Sequence, residues 1–277
     1  MEETLKNKSE LSITRIIIQA GFVLFAFLIG LRHLLPGESS RGGDFDAFCP
    51  FGAIETMWIY ITSGETLNFT NLLNFSVLLA VIGVSLVAGR AFCGWMCPLG
   101  TLQDYFVGIT KLIVKKKKYS EPNKYLIRDP VYVPPKLDKW LRYLKYIFLA
   151  FILIASTVAI SPPLYNICPA RAIFGFQLNT PLLGIVVLIF IISSMLIKRF
   201  TCKYLCPLGA ALVIFNKISL IHTSFDQQTC TDCGQCKINC SMDIQAIPEN
   251  NRPLECIYCL ECLETCTNSD TVALKLL

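Results

Sequence analysis

Twelve of the fourteen cysteines fall into two kinds of repeated spacing. From Phe225 onward the chain reads Cys230-x2-Cys233-x2-Cys236-x3-Cys240 and then Cys256-x2-Cys259-x2-Cys262-x3-Cys266. Upstream, the segment Gly89–Gly100, GRAFCGWMCPLG, returns as Lys198–Gly209, KRFTCKYLCPLG. Arg90, Cys93, Cys97, Pro98, Leu99 and Gly100 recur as Arg199, Cys202, Cys206, Pro207, Leu208 and Gly209. Thiolates are soft ligands for iron–sulfur clusters and zinc, and Cys-x2-Cys spacing in a long apolar chain favours metal ligation over disulfides. The remaining two cysteines open related segments, Cys49-Pro-Phe-Gly-Ala-Ile and Cys168-Pro-Ala-Arg-Ala-Ile.

Proline suits the first turn of a helix, where its missing N–H costs nothing. Each of the four Cys-Pro pairs therefore puts a cysteine at a helix N-terminus, where the dipole and free N–H groups favour a thiolate. Cys93, Cys97, Cys202 and Cys206 are the candidate ligands of one membrane cluster shared by the two copies. Its type, [4Fe–4S] or [2Fe–2S], is open at this level. Cys49 and Cys168 are candidates for a second membrane site or, facing an oxidising side, for a disulfide.

These motifs sit in an apolar chain. It is 53% hydrophobic and only 16% charged, against roughly 25% charged in soluble domains. Four apolar runs, Ile16–Leu31, Leu72–Ala88, Tyr146–Ile160 and Pro181–Ile197, read as membrane spans. Flanking residues such as Leu34, Leu35, Trp140 and Phe200 complete them toward the ~30 Å hydrocarbon layer. The first run lacks a small-residue cleavage site, so it reads as retained rather than as a cleaved signal. Arg90–Lys139 carries ten Lys/Arg against four acids, whereas Arg32–Thr70 carries two and Ser161–Thr180 only Arg171. The positive-inside rule then puts both termini and the middle loop in the cytoplasm of a multi-pass protein of the cell (inner) membrane. Lys115–Lys118 reads as a topogenic, headgroup-facing run rather than a nucleic-acid patch.

Each half is thus a helix, an outer Cys-Pro segment, a helix, an inner Cys-x3-Cys-Pro unit and a short helix. Both halves start inside, so they are parallel repeats about an axis along the membrane normal. The expected class is a mostly α membrane protein, with four transmembrane helices in two parallel repeats and a small α+β ferredoxin-like domain at the C-terminus. The divisions are residues 1–114 for the first repeat, 115–139 for a basic, Pro-rich cytoplasmic linker, 140–223 for the second repeat and 224–277 for the cluster domain.

The doubled cysteine run of the tail matches two-cluster bacterial ferredoxins, in which the fourth cysteine of each run ligates the other cluster. One [4Fe–4S] cluster would take Cys230, Cys233, Cys236 and Cys266, the other Cys256, Cys259, Cys262 and Cys240. Ser241 and Thr267 stand where a proline usually follows the fourth cysteine, which removes no ligand. Structural zinc is the alternative for the same thiols.

Taken together, the chain resembles the NapH/NosR-type membrane polyferredoxin family, which includes the nitrate-reductase-associated quinol dehydrogenase subunit and the core of the nitrous-oxide-reductase regulator. The resemblance rests on four spans, the units at Cys93/Cys97 and Cys202/Cys206, and the doubled tail motif. It implies electron transfer between a quinone, cytoplasmic iron–sulfur centres and an extracytoplasmic or soluble ferredoxin-like partner, as a subunit of a quinol dehydrogenase or other oxidoreductase complex. There is no room for the regulator's outer flavin domain and no Asp-Gly-x-Thr flavin-attachment pattern, so no covalent flavin is expected.

Other chemistries lack their residues. The two histidines, His33 and His222, fall on opposite sides of the expected membrane, which argues against haem b. The four apolar cores hold no carboxylate, which argues against a pump. No Gly-rich nucleotide loop or Ser/His/Asp set stands out, and a net charge of +5 is explained by the middle loop rather than by nucleic acid. Two function classes remain: a redox conduit, favoured because the cysteines make a chain of centres, and an assembly or regulatory redox factor for another metalloenzyme.

Overall fold

The computed structural model describes residues 2–34, 49–64, 72–113, 133–159, 168–176, 181–244, 253–266, 268 and 271–276. Lys115–Lys118, most of the Pro-rich linker, Ile160 and Thr267 lie outside them. The described chain is mostly helical with one two-stranded sheet.

The same order of elements occurs twice. The first passage runs through α1 (Glu2–Leu34), α2 (Pro50–Ser63), α3 (Leu72–Ala88), α4 (Ala91–Trp95) and α5 (Pro98–Ile113). The second runs through α6 (Pro135–Ala159), α7 (Pro169–Phe174), α8 (Pro181–Leu196), α9 (Phe200–Tyr204) and α10 (Pro207–Leu212), and a further turn, α11 (Phe215–Ile218), follows. Proline opens six of these helices because an N-terminal N–H would go unused there.

Two stretches, Glu10–Leu31 of α1 and Pro135–Thr157 of α6, are long and apolar enough to cross a membrane. The second starts well before Tyr146, because Pro135–Lys145 continues the same helix. Its polar residues find partners: Asp138 N–H bonds the Pro134 carbonyl, and Arg142 pairs with Asp138 at 2.7 Å. The other apolar helices, α3 and α8, have 17 and 16 residues, about 25 Å each at 1.5 Å per residue. Large apolar side chains project outward from α1 (Ile17, Leu24, Phe25), α6 (Ile147, Phe151, Ile154) and α8 (Ile185, Leu188, Ile189).

The tail is closed by β1 (Ile221–Phe225), paired antiparallel with β2 (Val272–Leu276), Ile221 opposite Leu276 and Phe225 opposite Val272. All eight tail cysteines lie between these strands, with two short helices, α12 (Gln235–Ile238) and α13 (Glu261–Thr265). Among the described residues the tail has no separate core of its own. Phe225, Met242, Ile244, Ile257 and Val272 pack in one buried cluster with Val81 of α3, Cys93 of α4 and Leu212 of α10.

Candidate iron–sulfur sites and the joint between them

Local backbone geometry repeats in the two Cys-x3-Cys-Pro units. In the first, the N–H groups of Met96 and Cys97 both bond the Phe92 carbonyl, and Thr101 N–H bonds the Cys97 carbonyl at 3.1 Å. In the second, Leu205 and Cys206 bond the Thr201 carbonyl, and Ala210 bonds the Cys206 carbonyl at 3.1 Å. Each unit is thus a one-turn helix, a reversal at the second cysteine and a proline-started helix. Cys206 caps α10 through its sulfur, which accepts from Gly209 N–H at 3.3 Å.

The two units interlock. Thr201 N–H donates to Gln103 Oε1 at 3.1 Å, and Arg199 Nη1 donates to the Cys93 carbonyl at 2.7 Å. Cys93, Cys97, Cys202 and Cys206 are brought into mutual electrostatic range. Burial, reinforced by neighbouring thiols, pushes the Cys97, Cys202 and Cys206 groups up to about 12. Gly100 and Gly209 line this place. A Cβ on Gly100 would stand 3.7 Å from Cys202 Sγ, and one on Gly209 would stand 3.6 Å from Cys206 Sγ and 2.9 Å from Arg90 Nη2.

The tail thiols separate into two groups. Cys230, Cys233, Cys236 and Cys266 line one cavity with Phe225, Asp232 and Gly234. Cys233 is exposed at its mouth. Cys240, Cys256, Cys259 and Cys262 form the other group, with Cys240, Cys256 and Cys262 each sensing Cys259. Burial raises all four, Cys240 to about 11 and Cys256 to about 12. Backbone N–H groups aim at sulfur here too, from Ile244 to Cys240 at 3.5 Å and from Tyr258 to Cys256 at 3.4 Å. Among the described residues no three His, Cys, Asp or Glu side chains converge on one point as ligands of a single ion. A [4Fe–4S] cluster takes each thiolate at a different iron, and a [2Fe–2S] cluster two at each, so neither needs such convergence. The donor sets therefore fit iron–sulfur clusters: four soft thiols each, N–H donors to sulfur, and side chains kept small beside the membrane set.

The second tail group sits directly on the membrane units. A Cβ on Gly94 would collide with the Ile257 carbonyl oxygen, and one on Gly89 (φ +57°) with Asn216 and Tyr258. Trp95 Nε1 donates to the Tyr258 carbonyl at 2.8 Å, and Gln19 Nε2 to the Gly94 carbonyl at 2.8 Å. Asn216 accepts from Arg90 N–H and donates to the Leu254 and Cys256 carbonyls. Acids of the tail plug into basic sockets: Glu255 meets Arg90 at 2.8 Å and Lys145 at 2.5 Å, Glu261 meets Lys198 at 2.9 Å and Arg15 at 3.6 Å, and Asp243 meets Lys203. Arg142 Nη2 donates to the Met242 carbonyl at 2.6 Å. Although burial opposes the charge of Glu255, Arg90 and Lys145 hold its carboxyl below the usual range.

Cys49 and Cys168 cap α2 and α7 with similar extended backbones (φ −82°, ψ 111° and φ −71°, ψ 114°). Both are half-buried, and neither is part of a disulfide. His222 lies on β1, opposite Lys275. Sequence reasoning missed Glu55, buried on α2 with a hydrogen bond from Ser156 of α6. A lone acid in the apolar stretch after Cys49 was the available signal. It also missed the docking sockets, which have no local spacing to betray them.

A family model described as "4Fe-4S binding domain" matches residues 70–119 and 179–225, the two Cys-x3-Cys-Pro units with their preceding helices. An uncharacterized protein of Methanocaldococcus jannaschii is 30% identical over 224 residues, 79% of this chain and 82% of that protein. The putative electron transport protein YccM of Escherichia coli is 27% identical over 92% of this chain and 71% of its own length. The ferredoxin-type protein NapH of Haemophilus influenzae is 26% identical over 67% of this chain and 62% of its own. No solved structure matches. With thiols in these sets and relatives of this length and kind, the chain belongs to the NapH/NosR-type polyferredoxin family.

Proposed function

We propose that the protein is a membrane-bound iron–sulfur electron conduit with three cysteine-ligated centres. Cys230, Cys233, Cys236 and Cys266 hold one [4Fe–4S] cluster, Cys256, Cys259, Cys262 and Cys240 a second, and Cys93, Cys97, Cys202 and Cys206 a third centre. Clusters at these places supply one-electron transfer. The chain orders them from the exposed end at Cys233, through the tail loop at Cys259, to the buried unit at Cys93. The observation that carries the reading is the joint: the cysteines of both repeats meet beside the loop 256–260, with Gly94 and Gly89 leaving no gap. An electron-transport name on one relative and a ferredoxin-type name on another support it. A quinone or an extracytoplasmic redox subunit fits as the partner on the membrane side.

Crossed ligation in the tail has a direct test. In Cys240→Ala the cluster of Cys256, Cys259 and Cys262 should be damaged while the Cys230 cluster stays intact by EPR. Loss of only the cluster held by Cys230, Cys233 and Cys236 would show that the assignment is wrong.

We further propose four spans, with α3 and α8 completing the bundle begun by α1 and α6, and both termini cytoplasmic. The outward apolar side chains of α8 and the basic loop after α3 support this. In inside-out vesicles treated with a chelator, a membrane-impermeant maleimide at pH 8 should label the exposed Cys233 and leave Cys97, Cys202 and Cys206 unmodified. A thiol whose pKa is about 12 carries roughly a thousandfold less thiolate at pH 8 than an ordinary cysteine. Labelling of these three should climb as pH rises. Labelling of Cys233 in right-side-out vesicles would overturn the topology, and equal labelling of all four thiols at pH 8 would overturn the buried site.

A further inference from the structure

Each repeat carries an arginine three residues before its first cysteine, Arg90 and Arg199, and the two are bonded differently. Arg199 spends Nε and Nη2 on Asp104, at 3.1 and 2.6 Å, and Nη1 on the Cys93 carbonyl. Arg90 is fully buried. Its Nη1 reaches Glu255 at 2.8 Å, while its Nε and Nη2 meet no hydrogen-bond acceptor. Two buried N–H directions of a cation left unmatched are costly, because the group has lost water and gained no acceptor. A fold keeps such donors where an acceptor belongs.

The position identifies that acceptor. Nη2 lies 2.9 Å from the point where a Cβ on Gly209 would stand, and Cys206 Sγ lies 3.6 Å from the same point. Nη2 thus lies beside Cys206, and Cys93 and Cys206 are the thiols within electrostatic range of the guanidinium, while Nη1 faces the tail through Glu255. Glycine at 209 leaves the space that any side chain would take from this guanidinium. We propose that Arg90 is a tuning residue for the centre held by those four cysteines: Nε and Nη2 donate to its sulfur atoms, and the same planar fork joins that centre to the tail through Glu255. The inference rests on the reading of these four thiols as one iron–sulfur site.

Hydrogen bonds to sulfur and a nearby positive charge favour the reduced, more negative state and so raise a cluster's potential. A lysine keeps the charge but not the two-sided fork. Glu255, on the opposite face, acts in the reverse sense.

The test is an EPR-monitored redox titration of the full-length, iron-replete protein. Arg90→Gln should keep the iron of all centres and lower the midpoint potential of the membrane centre, leaving the exposed tail cluster unmoved. Arg90→Lys should recover part of the shift. Glu255→Gln should move the same potential upward, whereas a merely structural role for Arg90 would move both variants the same way. If Arg90→Gln does not fold, Gly209→Ala serves in its place: it displaces Nη2, leaves the charge, and should lower the potential by a smaller amount. A membrane signal with unchanged potential in the folded Arg90 or Gly209 variant overturns the inference alone. If Cys97→Ala leaves every signal intact, the four-thiol site itself is wrong, and the inference falls with it.

Discussion

Cys97→Ala should remove the membrane centre outright, with the iron of one cluster lost and the two tail signals retained by EPR. The four thiols are contributed two by two from the repeats, and each is needed to balance iron in a place that excludes water. Cys93 and Cys202 are 6% and 7% exposed and Cys97 and Cys206 half-buried, so little solvent is at hand to replace a missing sulfur. Cys206→Ala should behave the same way, because it occupies the equivalent place in the other repeat. The relevant measurement is iron and acid-labile sulfide per chain alongside the spectra. Full retention of iron in either variant would sink the shared site, and so would two distinct membrane signals in the parent.

Glu255→Ala should loosen the tail from the membrane units more than any other surface-domain substitution. Arg90 and Lys145 have no exposed side-chain surface, and Glu255 is their common counter-ion. Breaking a buried pair by deleting one partner costs about 3–5 kcal/mol, since the remaining charge stays buried. Here two cations are stranded at once. Hydrogen exchange of residues 253–260 reads the joint directly, and protection should fall roughly 10²–10³-fold, a factor of ten per 1.4 kcal/mol. The parent should show a pH dependence of matching sign. Glu255 has a lowered carboxyl pKa, so its contribution is complete above the ordinary carboxylate range and is lost as pH falls through its own lower value. Undiminished protection in Glu255→Ala would mean that packing at Gly94 and Ile257, not charge, holds the joint.

The grouping of the cysteines was readable from sequence because fixed local spacing survives as text. Cys230, Cys233, Cys236 and Cys240 announce themselves within eleven residues. The repeat at Cys93 and Cys202 was readable for the same reason, since Arg90 and Gly100 return with it. The joint was not readable. Gly94 beside Ile257, Asn216 beside Leu254 and Glu255 beside Lys145 are pairings across long stretches of chain, and each residue alone looks like an ordinary glycine, amide or acid. Glu55 escaped because the four apolar runs were searched for carboxylates, and α2 lies between two of them. The helix lengths also differ from the sequence pattern. Apolar content marks where α6 is greasy, but its first turns are held by Asp138 and Arg142, which hydrophobicity does not register.

One contact in the joint sets a timetable for assembly. Arg15, in the first helix to be made, donates to the carbonyl of Cys259 at 2.5 Å, a partner 244 residues later in the chain. At about 5–20 residues per second, translation leaves roughly 10–50 s between the two. Throughout that interval Arg15 lacks its seat, and Cys202 of the second repeat emerges only 57 residues before Cys259, about 3–11 s earlier. If the proposed centre is loaded during synthesis, iron and sulfide have that shorter window in which to reach Cys93 and Cys202 before the tail, arriving last, closes over them.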